Sequence, residues 1–198
     1  MPARLRWSIA LAALAVFVLL ALQLVTATGL AAVHLGITQA LQARRGPALD
    51  ALMLALSNSH STTVVLIAAV VLAAWRWRRD DRPAAWSLAA VPAGELLNVG
   101  LKNLFERPRP VVPEPLVHLS TYSFPSGHAV ASAVFFGALC ALLWQRVRSR
   151  RLRIVATAGA VVMVLLVSFS RVYLGAHYAS DVLAGIAVGT FCVALLLR

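Results

Sequence analysis

Three stretches of this chain concentrate residues able to handle a phosphoryl group: Lys102-Asn-Leu-Phe-Glu-Arg-Pro-Arg109-Pro110, Ser123-Phe-Pro125-Ser126-Gly127-His128, and Ser170-Arg171-Val-Tyr-Leu-Gly-Ala-His177-Tyr-Ala-Ser-Asp181. Phosphoryl transfer leaves negative charge on the equatorial oxygens, which fixed cations and backbone N–H groups stabilise without reorganising. Lys102, Arg109 and Arg171 supply cations. Pro125-Ser126-Gly127 opens an apolar helix, whose unpaired first N–H groups make an anion site, and Gly127 lets the backbone come close. An imidazole can attack phosphorus if its other nitrogen keeps its proton and a carboxylate holds the ring. His177 and Asp181, four residues apart, have that relationship: they share a face if this stretch is helical, and otherwise Asp181 can cap the sixth span and still reach back. His128 is then left to protonate the departing oxygen.

Other residues of the same types read differently. His34, His60 and His118 are expected to be hydrogen-bonded interfacial histidines, and Arg107 with the proline-rich stretch from Pro108 to Pro115 is expected to be loop rather than site. Of eighteen basic residues seventeen are arginine, so the single lysine, Lys102, marks a position where a compact ammonium was placed in an otherwise arginine-using chain. Cys140 and Cys192 lie in apolar segments and form no C-x-x-C pair, which indicates neither a disulfide framework nor a zinc site. The acidic residues are Asp50, Asp80, Asp81, Glu95, Glu106, Glu114 and Asp181, which do not make the carboxylate cluster that paired hard cations require, so no metal or other cofactor is expected. Glu95, Asn98 and Lys102 are spaced to share one helical face, with Glu95 roughly 10 Å below Lys102. An ionisable group within a span is a functional candidate. Glu95 is read as supporting the site structurally, with direct substrate contact as the alternative.

The elements that must position these groups are membrane helices. The chain is 61% hydrophobic and 13% charged, whereas a soluble domain is about a quarter charged. Six predominantly apolar segments, at 7–28, 61–77, 84–102, 128–145, 154–171 and 181–197, approach the roughly 20 residues a spanning helix needs. The expected fold is therefore all-α: a polytopic six-helix membrane bundle forming one domain over 1–198. The first apolar run is long for a signal peptide and is read as a retained anchor. Residues 38–57 are less uniformly apolar and suit a helix lying at the interface. With the N-terminus inside, twelve of the eighteen basic residues fall on cytoplasmic segments. The exceptions are Arg44, Arg45, Lys102, Arg107, Arg109 and Arg171, most of which lie in the three stretches above, and all three stretches meet the membrane at the same outer face. The net charge of +11 thus reports topology; no soluble basic face with interleaved aromatics points to nucleic acid.

The pattern Lys-x6-Arg-Pro, Pro-Ser-Gly-His and Ser-Arg-x5-His-x3-Asp resembles the three-part signature of the type 2 phosphatidic acid phosphatase superfamily, closely over residues 95 to 189. The resemblance implies a metal-independent lipid phosphatase in a bacterial cell membrane, with its site on the periplasmic side. It implies that Lys102, Arg109, Ser126, Gly127 and Arg171 bind phosphate, that His128 is the acid, His177 the nucleophile and Asp181 its partner. Ala179 departs from the proline that relatives often carry between the last His and Asp. By resemblance to the small bacterial members, undecaprenyl diphosphate and phosphatidylglycerol phosphate rank ahead of phosphatidic acid and lipid A phosphates as substrates. A phosphotransferase using the same site, or an anion transporter, are the alternatives. A transporter would suit internal repeats and polar groups near the bilayer midplane, whereas here the polar groups concentrate at one face and no repeat is visible.

Overall fold

A computed structural model describes residues 3–26, 30–112 and 115–196. Among the described residues the regular structure is entirely helical: α1 (Ala3–Val25), α2 (Leu30–Gln42), α3 (Pro47–Ser59), α4 (Thr62–Arg78), α5 (Arg82–Leu88), α6 (Ala90–Phe105), α7 (Gly127–Arg146), α8 (Arg150–Tyr173) and α9 (Ala179–Leu196). Helices α1, α7 and α8 are long and apolar enough to cross a membrane, and α3 with α4, bent by 41° at a short break, would make a fourth crossing. The expected span over 61–77 is α4 by itself, of 17 residues, and the other two expected spans end on α6 and α9, of 16 and 18 residues; each alone is short for a hydrocarbon layer of about 30 Å.

Two expectations change in detail. The segment expected as one helix over 84–102 is divided between α5 and α6 at Ala89. Pro92 accounts for this, because it has no N–H to donate to the Leu88 carbonyl and its ring crowds that oxygen. The expected interfacial helix over 38–57 is two helices, α2 and α3, joined by a turn at 43–46. Here Pro47 forces Gly46 out of helical geometry, to φ −158° and ψ 154°, and occupies the first turn of α3, where no N–H is needed.

Helix α7 is central, packed against α4, α5, α6, α8 and α9. Its residues Val130, Ala131 and Val134 are fully buried and join Val65, Leu88, Val91 and Val188 in the main core, while Ala129 packs with Val172 and Val182. Helices α1, α4 and α8 instead turn many large apolar side chains outward, among them Leu11, Leu19, Ile67, Val71, Ile154 and Leu165. So much exposed hydrocarbon is stable only against lipid. Helices α7 and α9 approach closely: a Cβ on Gly185 would lie 2.6 Å from the Ser126 carbonyl oxygen and one on Gly189 2.5 Å from Ala133 Cβ. This is a small-residue seam at one-turn spacing, the device by which membrane helices approach closely.

The two ends of the bundle differ chemically. One end gathers Arg76, Arg146 and Asp81 in an ion cluster. Arginine guanidinium groups lie over Trp7, Trp75, Trp77 and Trp144 there, with centroid distances from 4.6 to 6.0 Å. Tryptophan and arginine together are a membrane-interface combination. The opposite end holds the residues considered next.

Candidate active site

The loop between α6 and α7 starts where Glu106, in left-handed conformation at φ 45°, caps α6 through its N–H on the Lys102 carbonyl at 2.9 Å. Its two arginines then reach different atoms of one histidine–aspartate pair. Arg109 donates to the Thr121 and Ala176 carbonyls, each at 2.7 Å, and its Nη1 lies 3.3 Å from His177 Nε2. Arg107 Nη1 donates to Asp181 Oδ1 at 2.5 Å and to Ser180 Oγ at 2.8 Å. Its guanidinium also stacks 4.0 Å from the Tyr178 ring centroid. The Ser123 N–H on the Arg107 carbonyl, at 2.8 Å, closes the loop. Lys102, in the last turn of α6, donates to the Tyr122 carbonyl.

Asp181 is wholly buried and its carboxylate is surrounded by donors. Oδ2 lies 3.4 Å from His177 Nδ1 and accepts the Tyr178 N–H at 2.9 Å and the Ser123 hydroxyl. His177 is 2% exposed. Burial, first, holds its imidazole well below the usual value, down to about 4; Asp181 opposes this, and Arg109 and Arg171 add to it. The ring is therefore neutral near pH 7, with Nε2 on the Arg109 side and Nδ1 on the carboxylate side. A neutral ring so oriented has the lone pair an attacking nitrogen needs.

Helix α7 begins at the same place. The Ser126 N–H donates to the Asp181 carbonyl at 3.0 Å, and Gly127 and His128 form the first turn, where backbone N–H groups have no intrahelical acceptor. His128 is within electrostatic reach of both His177 and Arg171. Arg171, near the end of α8 and 3% exposed, donates through Nη1 to Ser57 Oγ of α3. Its Nε and Nη2, and Ser126 Oγ, are buried with no partner among the described residues. Buried guanidinium donors left unpaired are costly unless an anion completes them.

Gly127 makes room as well as a turn. A side chain there would meet Asn98 Nδ2 at 3.1 Å, Thr62 Oγ1 at 3.3 Å and Glu95 Oε2 at 3.5 Å. Glu95, 7% exposed, accepts from Asn98 at 3.3 Å and so lies directly beneath the start of α7.

All eight residues singled out in the sequence are at this end of the bundle. The reading of Arg107 as mere loop is corrected: it is 8% exposed and ion-paired to Asp181. Ser57, Tyr178 and Ser180 were not anticipated either, and the role of Ser123 was not; of these only Arg107 carried a signal, as a second basic residue on a segment expected outside. His60 makes local contacts to Leu56 and Ser59 and packs 5.9 Å from Phe136, and His118 is exposed. The side chain of His34 is outside the described set.

A helical chain with apolar, lipid-facing helices and a buried His–Asp pair among cations at one end has the make-up of a membrane protein with a polar site. Residues 83–198 match the model of the PAP2 superfamily, and the chain belongs to that family. It is 33% identical over 148 residues to phosphatidylglycerophosphatase B of Bacillus subtilis, covering 73% of this chain and 72% of that protein. To decaprenylphosphoryl-5-phosphoribose phosphatase of Mycobacterium tuberculosis it is 31% identical over 166 residues, covering 81% and 85% respectively. The fold is similar to the crystal structure of a transmembrane PAP2-type phosphatidylglycerolphosphate phosphatase from Bacillus subtilis, with a TM-score of 0.86 and 28% identity over 94% of this chain and 93% of that one. All these relatives are named as phosphatases.

Proposed function

We propose that this chain hydrolyses lipid phosphates or diphosphates at the outer membrane face through a phosphohistidine on His177. The observation carrying the reading is the His177 ring itself, with Nδ1 turned to Asp181 and Nε2 turned to Arg109 beside the start of α7. His177 Nε2 attacks the terminal phosphorus while the bond to the leaving oxygen breaks. Lys102, Arg109, Arg171 and the first N–H groups of α7 hold the equatorial oxygens. His128, protonated at this stage, gives its proton to the leaving lipid alkoxide or lipid phosphate. His128 then takes a proton from water as the water oxygen attacks phosphorus, the P–N bond breaks, and orthophosphate leaves outward.

The chain is a single domain of six spans with the N-terminus inside, in a bacterial cell membrane; this arrangement is supported by the arginine distribution and by the two chemically distinct ends of the bundle. The phosphate groups are the recognised feature, so undecaprenyl diphosphate and phosphatidylglycerol phosphate are the first substrates to test, followed by phosphatidic acid and lipid A phosphates. An outward site suits recycling of a carrier lipid whose diphosphate is produced on that side. Among the described residues no carboxylate cluster calls for a divalent metal, and activity is expected to persist in EDTA.

The test is orthophosphate release by purified protein from each of those four lipids. Wild type should release phosphate, and a well-folded His177→Ala variant should not. Turnover retained in that variant would refute the nucleophile, and phosphate moved to another lipid without orthophosphate release would make the protein a phosphotransferase.

A further inference from the structure

Arg107 stands outside the three-part motif, yet it approaches the proposed nucleophile's partner more closely than any motif cation does among the described residues. Its Nη1 is 2.5 Å from Asp181 Oδ1, while the opposite oxygen, Oδ2, faces His177 Nδ1 at 3.4 Å. The guanidinium is held by the Ser180 hydroxyl at 2.8 Å and the Tyr178 ring face at 4.0 Å, so it is fixed at both edge and face. Tyr178 N–H and the Ser123 hydroxyl complete the carboxylate. Asp181 therefore has one oxygen committed to Arg107 and the other turned to the histidine.

We infer that Arg107 is a positioning residue for the proposed reaction: it orients Asp181 and tempers its basicity, so that the Nδ1 proton stays on His177 and the Nε2 lone pair points at phosphorus. This rests on His177 being the nucleophile. A carboxylate without the arginine would attract the imidazole proton more strongly and would be freer to rotate. Other charged or titratable groups facing the pair are Arg109 from the loop, Lys102 from α6, His128 from α7, Arg171 from α8, and Tyr178 from the α8–α9 turn. Arg109 lies on the Nε2 side, where phosphorus arrives. Arg107 lies behind the carboxylate, which separates the expected kinetic effects of the two.

Arg107→Gln should lower kcat about 10- to 100-fold and leave KM within about twofold, whereas Arg109→Gln should also raise KM. The acid limb of kcat/KM should move upward by roughly one pH unit in Arg107→Gln, because an uncompensated Asp181 favours protonated His177. Ionisation of the substrate is common to both enzymes and drops out of the comparison. Arg107→Lys, which restores the charge, should recover part of kcat and return the limb towards wild type. A purely structural role would reduce activity by one factor at every pH and leave the limb in place, and that result would overturn the inference. If Arg107→Gln does not fold, Arg107→Met, which removes the charge but keeps an apolar stem beside Tyr178, decides on the same readouts: a raised acid limb with unchanged KM supports the role, and an unmoved limb refutes it. An active His177→Ala enzyme would instead defeat the underlying mechanism; an inactive one beside a kinetically normal Arg107→Gln would defeat only the role of Arg107.

Discussion

The backbone N–H of Ser126 donates to the carbonyl oxygen of Asp181 at 3.0 Å, so the turn proposed to bind the phosphate hangs from the residue whose carboxylate faces His177. Two motifs far apart in sequence are locked by one main-chain bond. That bond exists because α7 and α9 approach along Gly185 and Gly189.

Gly185 is therefore a sensitive position with no chemistry of its own. A Cβ there would sit 2.6 Å from the Ser126 carbonyl and 2.8 Å from Ala129 Cβ, and the backbone cannot swing aside as a flexible side chain would. Gly185→Ala should cost about 1 to 3 kcal/mol of stability and reduce phosphate release, whereas Gly159→Ala, with open space around it, should be close to neutral. Thermal unfolding in detergent alongside orthophosphate release would check both.

Arg171 offers two buried donors that no described protein group satisfies, and Ser57 holds its third nitrogen. Arg171→Lys keeps the charge but loses the planar fork, and should cost about 100-fold or more in kcat/KM. Ser57→Ala only loosens the guanidinium and should cost about tenfold. Competition by inorganic phosphate should weaken in the same order.

The depressed His177 imidazole has a consequence for stability. Its folded-state value of about 4 lies below the ordinary 6.5, chiefly because of burial. Between these values the unfolded chain binds a proton that the folded chain does not, so stability falls as pH drops through that window and levels off below it. A His177→Asn variant should show a shallower fall of Tm with acidification over the same range, measured in one detergent and buffer series.

Sidedness is open to direct chemical labelling. Arg44 and Arg148 are both exposed, on segments assigned to opposite faces. In a chain with Cys140 and Cys192 replaced by alanine, Arg44→Cys should react with a membrane-impermeant maleimide in intact cells, and Arg148→Cys only after permeabilisation. The reverse pattern would invert the orientation.

The helical class and the motif residues were legible in the sequence because both depend on local properties. Apolar runs declare helices in lipid, since every backbone polar group must be paired within the segment. The four-residue spacing of His177 and Asp181 allows their contact without tertiary information, and even the breaks follow from proline, through the missing N–H and crowding ring of Pro92 and through the extended geometry Pro47 imposes on Gly46. Whether those breaks would interrupt the expected helices was not read from the pattern, because the apolar signal continues across them.

What only the tertiary structure decided are the partners brought from other helices. Arg107 and Arg109 are two residues apart in one loop, with similar side chains, yet one contacts Asp181 and the other His177. That assignment depends on where the α8–α9 turn places its atoms, which no spacing encodes. Ser57 reaches Arg171 from a helix whose sequence signals only an interface segment. Glu95 comes to lie beneath Gly127 because a missing side chain on α7 leaves room for it. Local periodicity determined which residues could do chemistry; close helix packing determined which atom each one addresses.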